Sequence, residues 1–356
     1  MQEGVNLKEI SLQKMLEFEN TVIVDVRTPK EYLEDHIPGA INIPIFDDDE
    51  RAIIGTLYKQ KGKEIAVETG IEITSPKLQD FYNKYLNLSK QYKQIVLYCF
   101  RGGMRSTSLV DFLNEIGLKV LKLDGGYKAY RNYVLKYLEN LSIKHQFIVL
   151  HGHTGTGKTM LLEELEKKGV CVLNLEALAQ NSGSVYGEIF YSGKAPSQKW
   201  FDSLVVKILR ESKYKNILME SESKKIGKVT LCKTFWDTMI QGKHILINSS
   251  VENRVKRLVE DYTKYNTQDD EYLKKSTSRL KDTIGNQAVE DLINKIEDKN
   301  YESVASFLIQ NYYDKLYSYS IGKYEYNMIL SSDFPDEAVN EILKFYNVAE
   351  KGDINE

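Results

Sequence analysis

The sequence predicts an α/β fold in two parallel-sheet domains, 1–142 and 143–356, the second with a helical C-terminal part. Three observations predict it. Short apolar runs alternate with amphipathic stretches along the chain, the signature of strand–helix repeats. The run Gln94–Tyr98 (QIVLY) feeds a loop of cysteine, glycine and arginine that opens a helix. The run Gln146–Leu150 (QFIVL) feeds a second glycine-rich loop that also opens a helix.

The elements follow in order. Thr21–Val26 (TVIVDV) reads as a buried strand, Lys30–Glu34 as a short helix after Pro29, and Ala40–Pro44 as another short strand. Lys77–Leu88 has helical apolar spacing. Thr107–Ile116 is a helix closed by Gly117, and Val120–Leu123 a strand ending at Asp124-Gly-Gly. Tyr127–Leu141 reads as a helix leading into the second domain. There the helix Lys158–Lys168 is stopped by Gly169, and strands are expected at Val170–Leu175, Asn216–Met219, His244–Asn248 and Met328–Leu330. Val251–Tyr319 is mostly helical and rich in Lys, Asp, Glu and Tyr. No internal repeat or low-complexity tract is visible.

Composition limits the function. With 356 residues and 42% apolar content, both domains can bury a core. Lys+Arg is 48 against Asp+Glu 51, a net charge of −3, which excludes a generally basic nucleic-acid coat but leaves room for a local basic groove. Cys99, Cys171 and Cys232 form no CxxC pair, so neither a disulfide framework nor a zinc site is expected, and a reducing cytoplasm fits. The N-terminal MQEGVNLKEISLQKM has no secretory apolar core, and no apolar run reaches the ~20 residues that span a bilayer.

The first loop is Cys99-Phe-Arg-Gly-Gly-Met-Arg-Ser106. A thiol is a nucleophile as thiolate, and cationic groups and a helix N-terminus lower its pKa. Arg101 and Arg105 supply the charge, Gly102 and Gly103 let backbone amides turn inward, and Met104 and Ser106 complete a cradle that holds an anion over the sulfur. Arg105 stands at the C-x5-R spacing that tyrosine phosphatases use. Cys171 and Cys232 lack such surroundings and read as structural.

The second loop, Gly152-His-Thr-Gly-Thr-Gly-Lys-Thr159, matches G-x-x-x-x-G-K-[ST] between a strand and a helix. Gly152, Gly155, Thr156 and Gly157 let amides wrap a di- or triphosphate, Lys158 adds charge at its outer phosphates, and the Thr159 hydroxyl can ligate Mg2+. No clear acidic partner follows, and no metal site is fixed. Glu220 and Glu222 could hold a metal or cap the next helix, and both readings stand. Arg254 and Arg257, three apart on one helix face, could clamp phosphate from a lid or form a solvated ion-paired face.

VDVRTPKEYLEDHIPGAINIP, YCFRGGMRS and LDGGYKAY together resemble a rhodanese domain over roughly residues 10–135. The resemblance implies a Cys99 that carries sulfur or selenium as a persulfide or its selenium equivalent, with Asp25 and Arg27 supporting the loop; a surface ion pair is the alternative for those two. The active loop is longer than in ordinary sulfurtransferases, which suits a bulkier anion such as selenophosphate. A rhodanese-like domain joined to a P-loop domain, with LNLEALAQNSGSVYG, APSQKWFDSLV, ESESKKIG, SVENRVKRLVEDY and YYDKLY, resembles the bacterial tRNA 2-selenouridine synthases. That resemblance implies conversion of wobble 2-thiouridine to 2-selenouridine through S-geranyl-2-thiouridine. It implies geranyl diphosphate and selenophosphate as co-substrates, no tightly bound cofactor, and the anticodon arms of Lys, Glu and Gln tRNAs as partners.

Two basic clusters are candidates for the tRNA surface: Lys224, Lys225 and Lys228, and Lys274, Lys275, Arg279 and Lys281. Tyr262, Tyr265 and Tyr272 lie nearby and could stack a splayed base, while solvated helix faces explain both clusters equally well. Two other functions stay open on the residues alone. One is a C-x5-R phosphatase or arsenate-reductase-like enzyme regulated by a nucleotide-binding domain, although Tyr98 stands where a phosphatase has histidine. The other is a nucleotide-gated module that senses an anion without chemistry at Cys99.

Overall fold

The structure is a computed structural model that describes residues 8–181, 185–186, 195–265 and 270–352. Residues 182–184 and 187 of the segment Leu173–Gly187 therefore lie outside the described residues. The chain divides into two units, residues 1–137 with 202–204, and residues 138–201 with 205–356.

In the first unit β1 (Glu9–Ile10), β2 (Thr21–Asp25), β3 (Ile41–Asn42), β4 (Gln94–Tyr98) and β5 (Leu121–Leu123) form a parallel sheet in the order β1-β5-β4-β2-β3. Central β4 is buried from Ile95 to Tyr98, as its unbroken apolar run requires in a sheet covered on both faces. Val24 pairs with Leu97 and Asp25 with Tyr98, so β2 and β4 end side by side. Val22, Val24, Ile95, Leu97, Phe81, Tyr85 and Leu113 centre the core.

Helix starts follow their caps. Thr28 and Glu31 form a capping box with Pro29 in the first turn, which sets the helix Pro29–Glu34. Asp47 and Glu50 do the same for Asp48–Gln60, the first of two helices between β3 and β4 that the apolar pattern leaves unread; the second is Lys63–Thr74. The helix after the cysteine loop runs Met104–Glu115, not from Thr107. Gly103 is its N-cap, so Met104, Arg105 and Ser106 belong to its first turn.

In the second unit β6 (Gln146–His151), β7 (Val172–Leu173), β8 (Asn216–Glu220), β11 (Lys243–Asn248) and β12 (Met328–Ser331) form a second parallel sheet, in the order β12-β11-β6-β8-β7. β9 (Lys225–Ile226) and β10 (Val229–Thr230) make a separate antiparallel hairpin. The strand expected over Val170–Leu175 shrinks to β7 because Asn174 caps a new helix at Leu175. The C-terminal helix Pro335–Gly352 returns Ala338, Val339, Ile342 and Tyr346 to the sheet core. Between β11 and β12 the chain is helical and has its own apolar cluster around Leu258, Tyr262, Leu292, Val304 and Tyr313. A π-helical turn, Ile309–Tyr313, interrupts that run just before Asp314. Among the described residues no helix is long and apolar enough to cross a membrane.

Candidate functional site

Both loops leave the C-terminal end of the central strand of a parallel sheet, where open α/β sheets bind ligands. In the first unit Cys99 follows β4 directly and is 3% exposed. Its Sγ accepts a hydrogen bond from Ser106 Oγ at 3.1 Å and lies 3.7 Å from the Gly103 carbonyl. The loop is held from outside: Tyr127 N–H donates to the Cys99 carbonyl and Lys128 N–H to the Phe100 carbonyl, both at 2.9 Å. The C=O and N–H of a trans peptide point opposite ways, so these bonds aim the next amides inward.

Burial by itself pushes the Cys99 pKa up. Against it stand hydrogen bonds from the Ser106 side chain and backbone and from the Arg101 backbone, then the Arg105 charge, and the net shift is downward. Arg105 Nη1 also pairs with Glu31 Oε2 at 3.0 Å, with both side chains partly buried. Arg101 is exposed, its guanidinium 5.9 Å from the Phe100 ring. Met104 is half exposed at the start of the helix.

Gly102 needs its glycine: its φ is +66°, and a Cβ would stand 3.1 Å from the Leu123 carbonyl and 3.2 Å from Gly125 N. Gly103 does not turn this way. It is extended, and a Cβ there would meet nothing within 4 Å, so it serves as the N-cap rather than a tight turn.

Asp25 and Arg27 form no surface pair. Both are buried; Arg27 Nη2 meets Asp25 Oδ2 at 2.7 Å and the Asp35 carbonyl at 2.6 Å, and its guanidinium lies 4.0 Å from the Tyr127 ring. The pair thus fixes Tyr127, whose amide holds the Cys99 carbonyl. Glu31 is the residue the sequence reading missed. Its T-P-x-E capping box was visible, but nothing local tells that the same carboxylate reaches Arg105, 74 positions along the chain.

In the second unit the phosphate loop spans β6 and the helix Lys158–Lys167. Thr156 Oγ1 donates to the His153 carbonyl at 2.9 Å and closes the loop on itself. Lys158 Nζ lies across the loop, 3.0 Å from the Gly152 carbonyl and 3.9 Å from Glu220. Thr159 Oγ1 donates to Glu220 Oε1 at 2.6 Å, so the end of β8 supplies the acid that faces the loop threonine. Glu222 lies beside Glu176 and Glu220; burial first, then these two carboxylates, raise its pKa. Neither Glu220 nor Glu222 caps a helix. Among the described residues no group of three or more His, Cys, Asp or Glu could itself hold a metal ion. Thr159 with Glu220 is a fitting donor pair for Mg2+ shared with a bound diphosphate.

Arg254 and Arg257 do not form a lid. Arg254, 4% exposed, donates Nε to the Thr154 carbonyl at 2.9 Å and grips Asp314 with both terminal nitrogens. Arg257 donates to the Gly155 carbonyl at 3.3 Å and the Ser332 carbonyl at 2.6 Å, and Ser332 Oγ donates to the Thr156 carbonyl at 2.6 Å. Three consecutive loop carbonyls are thus held from behind. The backbone passes so close that a Cβ on Gly155, at φ +81°, would stand 2.9 Å from the Arg254 carbonyl.

The lysines Lys224, Lys225 and Lys228 are exposed on the β9–β10 hairpin, and Lys275, Arg279 and Lys281 are exposed as well. Lys274 is paired with Glu271 and Glu297. Tyr262 is no stacking platform: it is 2% exposed within the helical core. Tyr272 is half buried, and the Tyr265 side chain lies outside the described residues. Cys171 is half buried with a thiol pushed up by burial, and Cys232 is exposed.

A family model described as the tRNA 2-selenouridine synthase AAA domain matches residues 145–348, and a rhodanese-like domain model matches residues 10–133. The tRNA 2-selenouridine synthase of Hydrogenovibrio crunogenus is 30% identical over 351 residues, covering 91% of this chain and 95% of that protein. That of Shewanella frigidimarina is 30% identical over 344 residues, 88% of this chain and 92% of that protein. That of Nitrosomonas europaea is 35% identical over 248 residues, 68% of this chain and 64% of that protein. Each of the two family models contains one of the two anion loops, and the similarity runs through both units, so the chain belongs to the tRNA 2-selenouridine synthase family, enzymes named for forming 2-selenouridine in tRNA.

Proposed function

We propose that the protein converts wobble 2-thiouridine to 2-selenouridine in the anticodon arms of Lys, Glu and Gln tRNAs, by way of S-geranyl-2-thiouridine, in the cytoplasm. The observation that carries this reading is the pair of anion loops, one with a thiolate-stabilised cysteine and one without a nucleophile. Family membership favours it over a free-standing phosphatase or a sensing module.

The phosphate loop binds geranyl diphosphate by its diphosphate. The amides of Gly155, Gly157 and Lys158 and the Lys158 ammonium stabilise the negative charge that grows as diphosphate departs. Thr159 and Glu220 are the residues that would hold Mg2+, which when bound neutralises part of that charge. The thiocarbonyl sulfur of the base displaces diphosphate from the geranyl carbon. A thiocarbonyl sulfur is a poor leaving group, and alkylation turns it into one that departs as geranyl thiolate. Cys99 and its cradle then handle selenophosphate and release its selenium to the base.

The test is nucleoside mass analysis of thiolated tRNA after incubation with geranyl diphosphate and selenophosphate. Cys99→Ala should retain geranylation and lose selenation; loss of both in a folded protein refutes the division of labour. Lys158→Ala should lower geranylation chiefly, and prenyl transfer at the wild-type rate refutes that half.

A further inference from the structure

We infer that Cys99 attacks the phosphorus of selenophosphate, not its selenium, so that the enzyme passes through an S-phosphocysteine and sets free hydrogen selenide inside the cradle. The inference rests on the proposed use of selenophosphate and assigns the step that releases its selenium.

Three features of the first loop carry it. The spacing from Cys99 to Arg105 makes a wide loop whose fork can grip two oxygens of a tetrahedral phosphoryl group. The outside bonds from Tyr127 and Lys128 turn loop amides toward the space above Sγ, where the other phosphoryl oxygens would sit. Ser106 Oγ, buried and 3.1 Å from Sγ, stabilises a sulfur anion. The donor favours the thiolate as the attacking species. It serves again in the second half of the cycle, when the thiolate must depart from phosphorus.

Electron bookkeeping points the same way. In selenophosphate phosphorus is pentavalent and selenium is at the selenide level, and the selenium of 2-selenouridine is at that level too. Moving the selenium atom onto Cys99 sulfur would leave the phosphorus as phosphite, and freeing it again would need a reductant. Attack at phosphorus needs neither. The S–P bond forms, the P–Se bond breaks with its electron pair going to selenium, and the proton that hydrogen selenophosphate carries leaves with the selenium as hydrogen selenide anion. No other proton donor is needed. That anion then attacks C2 of the S-geranyl base: the C–Se bond forms, the C–S bond breaks, geranyl thiolate leaves, and the selenide proton passes to N3. Water attacks the phosphocysteine, the S–P bond breaks, and phosphate, a proton and the Cys99 thiolate return.

Glu31 fits this cycle as a positioning residue. Its carboxylate lies 3.0 Å from Arg105 and competes with phosphate for the same guanidinium, which favours departure of phosphate after hydrolysis.

The experiment uses the full chain. Selenophosphate is incubated with wild type and with Cys99→Ala, and the phosphorus products are read by 31P NMR. Phosphate formed faster with wild type supports the inference; phosphite, or equal phosphate release by the two proteins, overturns it. Monothiophosphate, the sulfur analogue, is then used with Ser106→Ala and acid quench, at a pH above the variant's alkylation midpoint so that Cys99 is a thiolate and attack is not slowed. Loss of the Ser106 donor slows departure of the thiolate about 10- to 100-fold, so a phosphoryl group should accumulate on Cys99. A persulfide there, or an unmodified Cys99, overturns the inference. Selenation of S-geranyl tRNA is measured with the same preparations. Selenation without phosphate chemistry at Cys99 sinks this step alone, whereas failure of selenation by wild type sinks the proposed function.

Discussion

Ser106→Ala should raise the pKa of Cys99. The hydroxyl is buried, stands 3.1 Å from Sγ, and donates to it. A hydrogen bond to a charged group is worth about 1.5–3 kcal/mol, and one pKa unit corresponds to about 1.4 kcal/mol. Burial is the largest single influence on this thiol and acts upward, so removing one donor tips the balance toward the neutral form. The assay is the rate of Cys99 alkylation by iodoacetamide across pH, with Cys171 and Cys232 replaced by serine. At neutral pH the rate should fall about 10- to 100-fold, and the midpoint of the profile should move up. Stability should follow. The folded thiol is depressed relative to the unfolded one, so it contributes stability above the unfolded pKa that is lost as pH falls through the folded value. Ser106→Ala should flatten that slope. A folded variant whose alkylation midpoint stays at the wild-type value would show that Ser106 does not control the thiolate.

Gly126→Ala should disorder the cysteine loop: a Cβ there would stand 2.3 Å from the Cys99 carbonyl and 2.6 Å from Gly102 N at φ +57°, so the strain of about 1–3 kcal/mol should appear in urea unfolding together with a slower Cys99. Arg254→Ala should lower stability by about 2–3 kcal/mol, below a fully buried pair because Asp314 is partly exposed, and should raise KM for geranyl diphosphate; an unchanged KM argues against the loop brace. Replacing Lys224, Lys225 and Lys228 together by alanine should reduce the slope of log tRNA affinity against log salt by about 2, and a slope equal to wild type removes the hairpin from the tRNA surface.

What the sequence disclosed, and what it concealed, divides by distance along the chain. Strands β2, β4, β6, β8 and β11 were legible because apolar runs of their length suit buried parallel strands, and β12 from its short apolar run although it is a partly exposed edge strand. Both loops were legible because the chemistry of each is contained in eight consecutive residues. The helices Asp48–Gln60 and Lys63–Thr74 were not, since none of the first and only Ala66 of the second is fully buried and no apolar stripe announces them. The partners of the loops were not legible either. Glu31 reaches Arg105, Asp314 reaches Arg254 and Ser332 reaches Thr156 through folding alone, across 74, 60 and 176 positions. Arg254 and Arg257 show the cost of reading spacing without burial: a shared helix face fits a lid, a solvated face or a brace, and only their contacts with loop carbonyls decide.

The two loops differ in their reacting groups yet solve one backbone problem in one way. An anion site needs amides pointing inward, which leaves the carbonyls of the same peptides pointing outward, where burial without a donor would be costly. In the first unit the donors are the Tyr127 and Lys128 amides, at the start of the helix that follows β5, next to central β4. In the second they are Arg254 and Arg257, on the helix that follows β11, next to central β6, with Ser332 after β12. Each anion loop is therefore shaped by the element that follows a neighbouring strand, in addition to its own motif. Arg257→Lys tests this for the phosphate loop. Lysine keeps the charge but cannot span the Gly155 and Ser332 carbonyls with one planar fork. Diphosphate affinity should drop about tenfold, the worth of one net hydrogen bond. Affinity equal to wild type in equilibrium binding would mean that charge near the loop matters and carbonyl bracing does not.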